Sequence, residues 1–191
     1  MDEREQTLTE VTEHVETVFR GPIFRVEVSE VRLPNGKTAR RDVVRHPGAV
    51  CVLPIDQIGR VYLVRQWRAG YRGTMLEIPA GKLDPGETDA EKAAERELRE
   101  ETGAVAARMT PLGDYYGSPA ILEERIAMYL AEDLTFGETD FDEDEFLAPV
   151  TMLLDELVRE VLAGHVPDGK TQVAALRAYC MRRGLPGDTE A

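Results

Sequence analysis

The stretch Gly81-Lys-Leu-Asp-Pro-Gly-Glu87-Thr-Asp-Ala-Glu-Lys-Ala-Ala-Glu-Arg96-Glu-Leu-Arg-Glu-Glu101-Thr-Gly103 joins a glycine-rich loop to a segment rich in Ala, Glu, Arg and Leu. Residues 88–102 contain neither Gly nor Pro, which predicts a helix. Thr88 and Glu91 fit the capping-box pattern at its start, and Gly103 suits its end. On that helix Glu97, Glu100 and Glu101 stand at i, i+3 and i+4, so three carboxylates share one face with neighbouring Cβ atoms ~5–6 Å apart. Like charges at that spacing are mildly destabilising. A hard divalent cation reverses the sign, because Mg²⁺ is held by oxygen ligands and is commonly shared between carboxylates and phosphates. Taken alone, the face could equally be solvated, with Arg96 and Arg99 neutralising the acids. The loop tips the balance, since a plain surface helix needs neither two glycines nor a glutamate at its entrance.

The rest of the chain sets the frame for that segment. Its 191 residues fit one domain with an appendage, and 42% hydrophobic residues can build a packed core. Thirty-six acidic against 23 basic residues leave a net charge of −13. Such a chain is a poor nucleic-acid binder, because that affinity comes largely from cationic contacts to phosphate. No apolar run reaches the ~18 residues of a membrane helix. The acidic start, Met1-Asp-Glu-Arg-Glu-Gln, is unlike a signal peptide. Cys51 and Cys180 sit among apolar neighbours without CxxC spacing and are read as two buried, reduced thiols. A cytoplasmic protein with no membrane or nucleic-acid partner is expected.

Outward from the loop, short apolar runs predict strands at 49–54, 61–64, 75–80, 112–116, 126–131 and 146–152. Helices are expected at 154–163 and 171–183. Ahead of these, Ile23 to Leu33 alternates apolar and polar residues, Pro34-Asn35-Gly36 offers a turn, and 38–45 returns as a partner strand. Val11, Val15 and Val18 among Thr and Glu suggest an extended lead-in. The apolar residues Ile23, Val26, Val28, Val31 and Leu33 of the hairpin need a surface to cover them, since an isolated hairpin is marginal in water.

Loop and helix together resemble the Nudix box: Gly, five residues, Glu, seven residues, then Arg-Glu-aliphatic-any-Glu-Glu-any-Gly-aliphatic. Gly81, Glu87, Arg96, Glu97, Leu98, Glu100, Glu101, Gly103 and Ala104 fill those places. The chain departs in one respect. Eight residues, Thr88 to Glu95, separate Glu87 from Arg96, which bears on whether those two side chains meet. Flanking segments resemble the ADP-ribose pyrophosphatase branch: Val64-Arg-Gln-Trp-Arg68, Leu76-Glu-Ile-Pro-Ala-Gly81, Arg41-Asp-Val-Val and His46-Pro-Gly-Ala-Val50. Ser118-Pro-Ala120-Ile-Leu-Glu-Glu124-Arg125 is similar to that branch's Ser-Pro-Gly loop, with Ala120 in the glycine's place.

The resemblance implies an α+β fold, a Nudix-type α/β/α sandwich with a mixed sheet, plus an N-terminal β-hairpin layer. Residues 1–46 would form the dimerising strand segment and 47–191 the hydrolase domain. It also implies Mg²⁺-dependent hydrolysis of ADP-ribose to AMP and ribose 5-phosphate, with Mn²⁺ or another divalent cation as an alternative metal. Other nucleoside diphosphate sugars are the nearest alternative substrates. The implied metal ligands are Glu97, Glu100, Glu101 and the carbonyl of Ala80. Glu143, Glu145 and Glu100 are the candidate bases, and a solvated charge run is the plain alternative for the first two. Arg40, Arg41, Arg68, Ser118, Ala120 and Glu124 would contact substrate, with Arg125 as the competing partner of Glu124. Trp67 and Phe24 are read as core or dimer packing rather than base stackers, and His46 as structural. A homodimer is expected, each hairpin helping to shape the other subunit's pocket. The rivals are a catalytically silent nucleotide-binding module, which would not need three clustered carboxylates, and an acidic interaction protein, which would not need the loop.

Overall fold

The computed structural model describes residues 7–141 and 146–184. Its strands are β1 (Val11–Arg20), β2 (Arg25–Arg32), β3 (Thr38–Arg45), β4 (Ala49–Pro54), β5 (Arg60–Arg68), β6 (Gly73–Glu77), β7 (Ala80–Lys82), β8 (Ala104–Tyr115), β9 (Leu122–Glu123), β10 (Ile126–Phe136) and β11 (Leu147–Leu153). Its helices are α1 (Ala90–Thr102), α2 (Leu154–Leu162) and α3 (Gly169–Arg182). Two compact units result, one of residues 1–48 with 116–124, the other of 49–115 with 125–191.

The first unit is a sheet in the order β1-β2-β3-β9, antiparallel except where β9 joins β3 in parallel. Gly36 at φ 79° and an Asn35 side chain accepting from the Lys37 amide make the β2–β3 turn. The lead-in is therefore a full strand paired along β2. The hairpin's apolar residues do not share one face, because strand side chains alternate: Val31 is buried with Glu27 and Ser29, whereas Val26 and Val28 point to the other side and are half-buried. Glu27 is held by Arg25 (2.8 Å) and Arg45 (2.7 Å), and these two hydrogen bonds keep its carboxyl below the usual range.

The second unit is a sandwich. Its central sheet runs β7-β4-β10-β8, with β4 and β10 parallel and the other pairs antiparallel; a second sheet runs β11-β5-β6. Every residue of β4 is buried, and alternation sends its side chains into two cores. Val50 and Val52 join Ala127 and Tyr129 beneath Ala93, Ala94 and Leu98 of α1. Cys51 and Leu53 join Met128 and Leu130 against α2, α3 and the second sheet. Each such aliphatic side chain stabilises by roughly 1.5–3 kcal/mol. No helix of the described residues is long and apolar enough to cross a membrane.

Several expected boundaries move for physical reasons. The run 75–80 divides into β6 and β7 around Ile78-Pro79, where proline has no N–H for a ladder. The helix starts at Ala90, and its cap is Asp89, whose side chain accepts from the Lys92 amide at 3.3 Å, rather than Thr88. Gly103 does end it, at φ 70°, where a Cβ would sit 2.4 Å from the Gly137 carbonyl oxygen. Both cysteines are free thiols, but only Cys51 is buried; Cys180 is half-buried. Burial pushes the Cys51 thiol up to about 12.

Candidate active site

The carboxylate face of α1 lies over β7. Glu97 and Glu101 are 8% and 2% exposed, and Glu100 is half-buried. A Cβ on Gly81 would fall 2.0 Å from the Glu97 carboxylate, so that group occupies room that only glycine leaves. Arg96 joins the acids: Nη1 donates to Glu97 Oε1 (2.8 Å) and Glu100 Oε2 (3.1 Å), and Nη2 to Glu87 Oε2 (3.3 Å). Burial works against the Arg96 charge, but Glu97 and Glu87 outweigh it and hold the guanidinium above its ordinary range. Glu87 also accepts from the Asp84 amide (3.0 Å), the main reason its carboxyl stays below the usual range, with Arg96 adding to it. The longer spacing thus does not part Glu87 from Arg96.

Among the described residues no group of three His, Cys, Asp or Glu side chains is gathered closely enough to hold a metal ion outright. Arg96 is the cation that Glu87, Glu97 and Glu100 share. The donor set still suits a hard divalent cation: three carboxylates on one helix face, two of them buried, beside a glycine-lined strand. Ala80 is half-buried on β7, paired with Cys51.

Arg68 is committed within its own unit, donating through Nε and Nη2 to both oxygens of Glu77, each at 2.8 Å. Glu77 is 1% exposed and also accepts from Lys170, which donates to Asp168 at 3.0 Å. Burial pulls the Glu77 carboxyl up, but the Arg68 hydrogen bonds and the Lys170 charge outweigh it and hold the carboxyl low. Glu77, Lys170 and Asp168 escaped the sequence reading; the one available signal was Asp168 ahead of a helix, a capping residue whose side chain does accept from the Thr171 amide.

Arg40, Arg41, Ser118, Ala120 and Glu124 belong to the first unit. Arg40 pairs with Asp42 (2.7 Å) and lines a concavity of about 400 Å³ with His14, Ser29 and Thr38. Arg41 donates to both oxygens of Glu10. The Ser118 carbonyl accepts from the Ile121 and Leu122 amides, and Ala120 lies exposed in that turn. Glu124 lies 3.5 Å from His46 Nδ1, which accepts from the Gly48 amide; Arg125 pairs with Asp114 instead. Trp67 and Phe24 are 61% and 40% exposed, so neither is a core residue. Glu143 and Glu145 lie outside the described residues.

The family model described as NUDIX domain matches residues 44–176. The chain belongs to the Nudix family. Members generally use divalent cations. An ADP-ribose pyrophosphatase of Bacillus subtilis is 40% identical over 171 residues, covering 88% of this chain and 92% of that protein. A protein of Bacillus methanolicus named methanol dehydrogenase activator is 39% identical, covering 86% and 90%. Among solved structures, a crystal structure of ADP compounds hydrolase aligns with a TM-score of 0.76 at 27% identity, covering 94% of this chain and 98% of that one.

Proposed function

We propose that this Nudix protein hydrolyses the diphosphate bond of ADP-ribose to AMP and ribose 5-phosphate, with Mg²⁺ as its cation and Mn²⁺ as the alternative. The observation that carries the reading is the Glu97 carboxylate set into the space that Gly81 leaves on β7. Glu97, Glu100 and Glu101 stand on one face of α1 beside that strand, the kind of oxygen-donor set a hard divalent cation takes. Glu97, Glu100, Glu101 and the Ala80 carbonyl would hold the cation. When bound, it neutralises charge on the diphosphate and makes the attacking water more acidic. Glu100, Glu143 or Glu145 takes the water's proton. Arg68, Arg40, Arg41, Ser118, Ala120 and Glu124 contact the substrate. Relatives named ADP-ribose pyrophosphatase, in Bacillus subtilis and in Mycobacterium tuberculosis (33% identical), support this substrate.

Residues 1–46 serve as a dimerising segment to a hydrolase domain of 47–191. Exposed Val11, Val15, Val18 and Phe19 on β1 support a homodimer, and light scattering should give about twice the 21.3 kDa chain mass. The cytoplasm is the compartment that suits its reduced thiols.

The relative named methanol dehydrogenase activator favours one second reading, a nucleotide-binding module acting on a partner. A panel of nucleoside diphosphate sugars with Mg²⁺ and Mn²⁺, products resolved by chromatography, separates the two. Turnover of ADP-ribose above the other sugars is expected. No turnover of any sugar, with ADP-ribose still raising the melting temperature, would favour the module.

A further inference from the structure

Lys170 sits in the second unit, 8% exposed, with its ammonium between the carboxylates of Glu77 and Asp168. Without a cation between them, two like charges would face each other where little water can screen them. Thr171 continues the tie: its hydroxyl donates to Asp168 Oδ2 at 2.5 Å and accepts from the Ile78 amide at 2.9 Å. The start of α3 is thereby fastened to Glu77, the last residue of β6, and to Ile78 after it, just ahead of Pro79 and Ala80. Glu77 in turn spends both oxygens on Arg68. The Arg68 guanidinium is held above its ordinary range chiefly by those bonds, with burial opposing and the charges of Glu77, Asp168 and Glu101 adding. Arg68 is thus within electrostatic reach of an acid on the carboxylate face of α1.

We propose that Lys170 is a positioning residue: by separating Glu77 from Asp168 it keeps Glu77 locked to Arg68, and so fixes the guanidinium in the orientation that receives the substrate's phosphate. This rests on the reading of Arg68 as a substrate contact. Lys170 touches neither substrate nor metal; it acts through Glu77.

The test uses the full chain with Lys170→Met, Arg68→Ala and the double substitution, reading kcat and KM for ADP-ribose separately. Lys170→Met should raise KM about tenfold or more and leave kcat within about threefold, the pattern of lost uniform binding. Because Lys170 acts through Arg68, the double variant should match Arg68→Ala to within about twofold rather than multiply the two losses. Lys170→Arg, which keeps the cation, should recover most of the KM. An unchanged KM in Lys170→Met, or multiplied losses in the double variant, overturns the proposal. Should Lys170→Met not fold, adding Asp168→Asn removes the like charge left behind and is judged by the same criteria. A second readout needs no turnover. The Arg68 Nε–H signal is expected to exchange slowly in the unmodified chain, where it donates to Glu77, and quickly in Lys170→Met; equal exchange in the two counts against the idea. If the unmodified chain turns over no ADP-ribose, the functional reading fails, and the exchange measurement still decides whether Lys170 locks Arg68.

Discussion

Replacing Gly81 by alanine should damage hydrolysis far more than folding. The new Cβ would lie 2.0 Å from the Glu97 carboxylate carbon and from one of its oxygens. Favourable separations begin near ~3.5 Å, so the carboxylate must withdraw by about 1.5 Å. It can, because it is the far end of a flexible side chain, and Gly81 is not among the glycines at positive φ. Stability should therefore fall by only about 1 kcal/mol, the low end of overpacking. The bond from Arg96 to Glu97, now 2.8 Å, would be broken or redirected. Misplacement of an active-site group by ~1 Å can lower the rate ~10²-fold. We therefore expect kcat/KM for ADP-ribose to drop about a hundredfold, ~2.7 kcal/mol of transition-state stabilisation, while the circular dichroism spectrum stays unchanged. Steady-state kinetics with saturating Mg²⁺, beside thermal melts, measures both quantities. A Gly81→Ala enzyme within about threefold of the parent would mean that Glu97 does not work from its place against β7, and the reasoning from the cradle would be refuted.

Gly103→Ala should do the reverse: its Cβ meets backbone and its φ is 70°, so a stability loss of roughly 2 kcal/mol or more is expected in urea titration, and a melt within 1 °C of the parent's would contradict it. Glu101→Gln should keep the fold and lose more than about 90% of kcat/KM, over ~1.4 kcal/mol; it should also lose the rise in melting temperature that millimolar Mg²⁺ gives the parent. Glu77 predicts a pH effect. Its folded carboxyl titrates below the ordinary value, so its stabilisation is complete above ~4.3 and disappears as pH falls through the folded value. Glu77→Gln should accordingly flatten the acid limb of a urea-midpoint profile between pH 6 and 3, and an equally steep limb in the variant would contradict the assignment.

The parts legible in the sequence are those where local chemistry and tertiary structure agree. The carboxylate helix, its terminating Gly103, the Asn35-Gly36 turn and the apolar runs of β4 and β5 all stand where periodicity and turn residues place them. β8 is legible only in its last third, Leu112 to Tyr115. Ala104 to Pro111 is alanine-rich, keeps no strict apolar–polar alternation and ends in a proline, which is tolerated because β8 is an edge strand of its sheet, where a missing ladder N–H does no harm. β1 was underestimated for a related reason: its side chains are nearly all exposed, so no buried face imprints a period on it. Within the site, the order of Glu97, Glu100 and Glu101 follows from helix geometry alone. The pairing of Arg68 with Glu77, and of Glu77 with Lys170, depends on tertiary approach across 9 and 93 residues, which no local pattern encodes.

The parallel pairing of β4 with β10, Ala49 opposite Ile126 through Pro54 opposite Ala131, sets a timetable for synthesis. At ~5–20 residues per second, a ribosome completes the glycine loop and its helix a few seconds before β10 is made. During that interval α1 has β4 beneath it but not Ala127, Tyr129 and Ala131, which complete its core. Closing so distant a ladder is a slow step in folding, because the entropy of the intervening chain must be lost before the contacts form. A nascent chain that stops short of Ile126 would contain every residue of the loop and helix and none of the strand that gives them a fixed place.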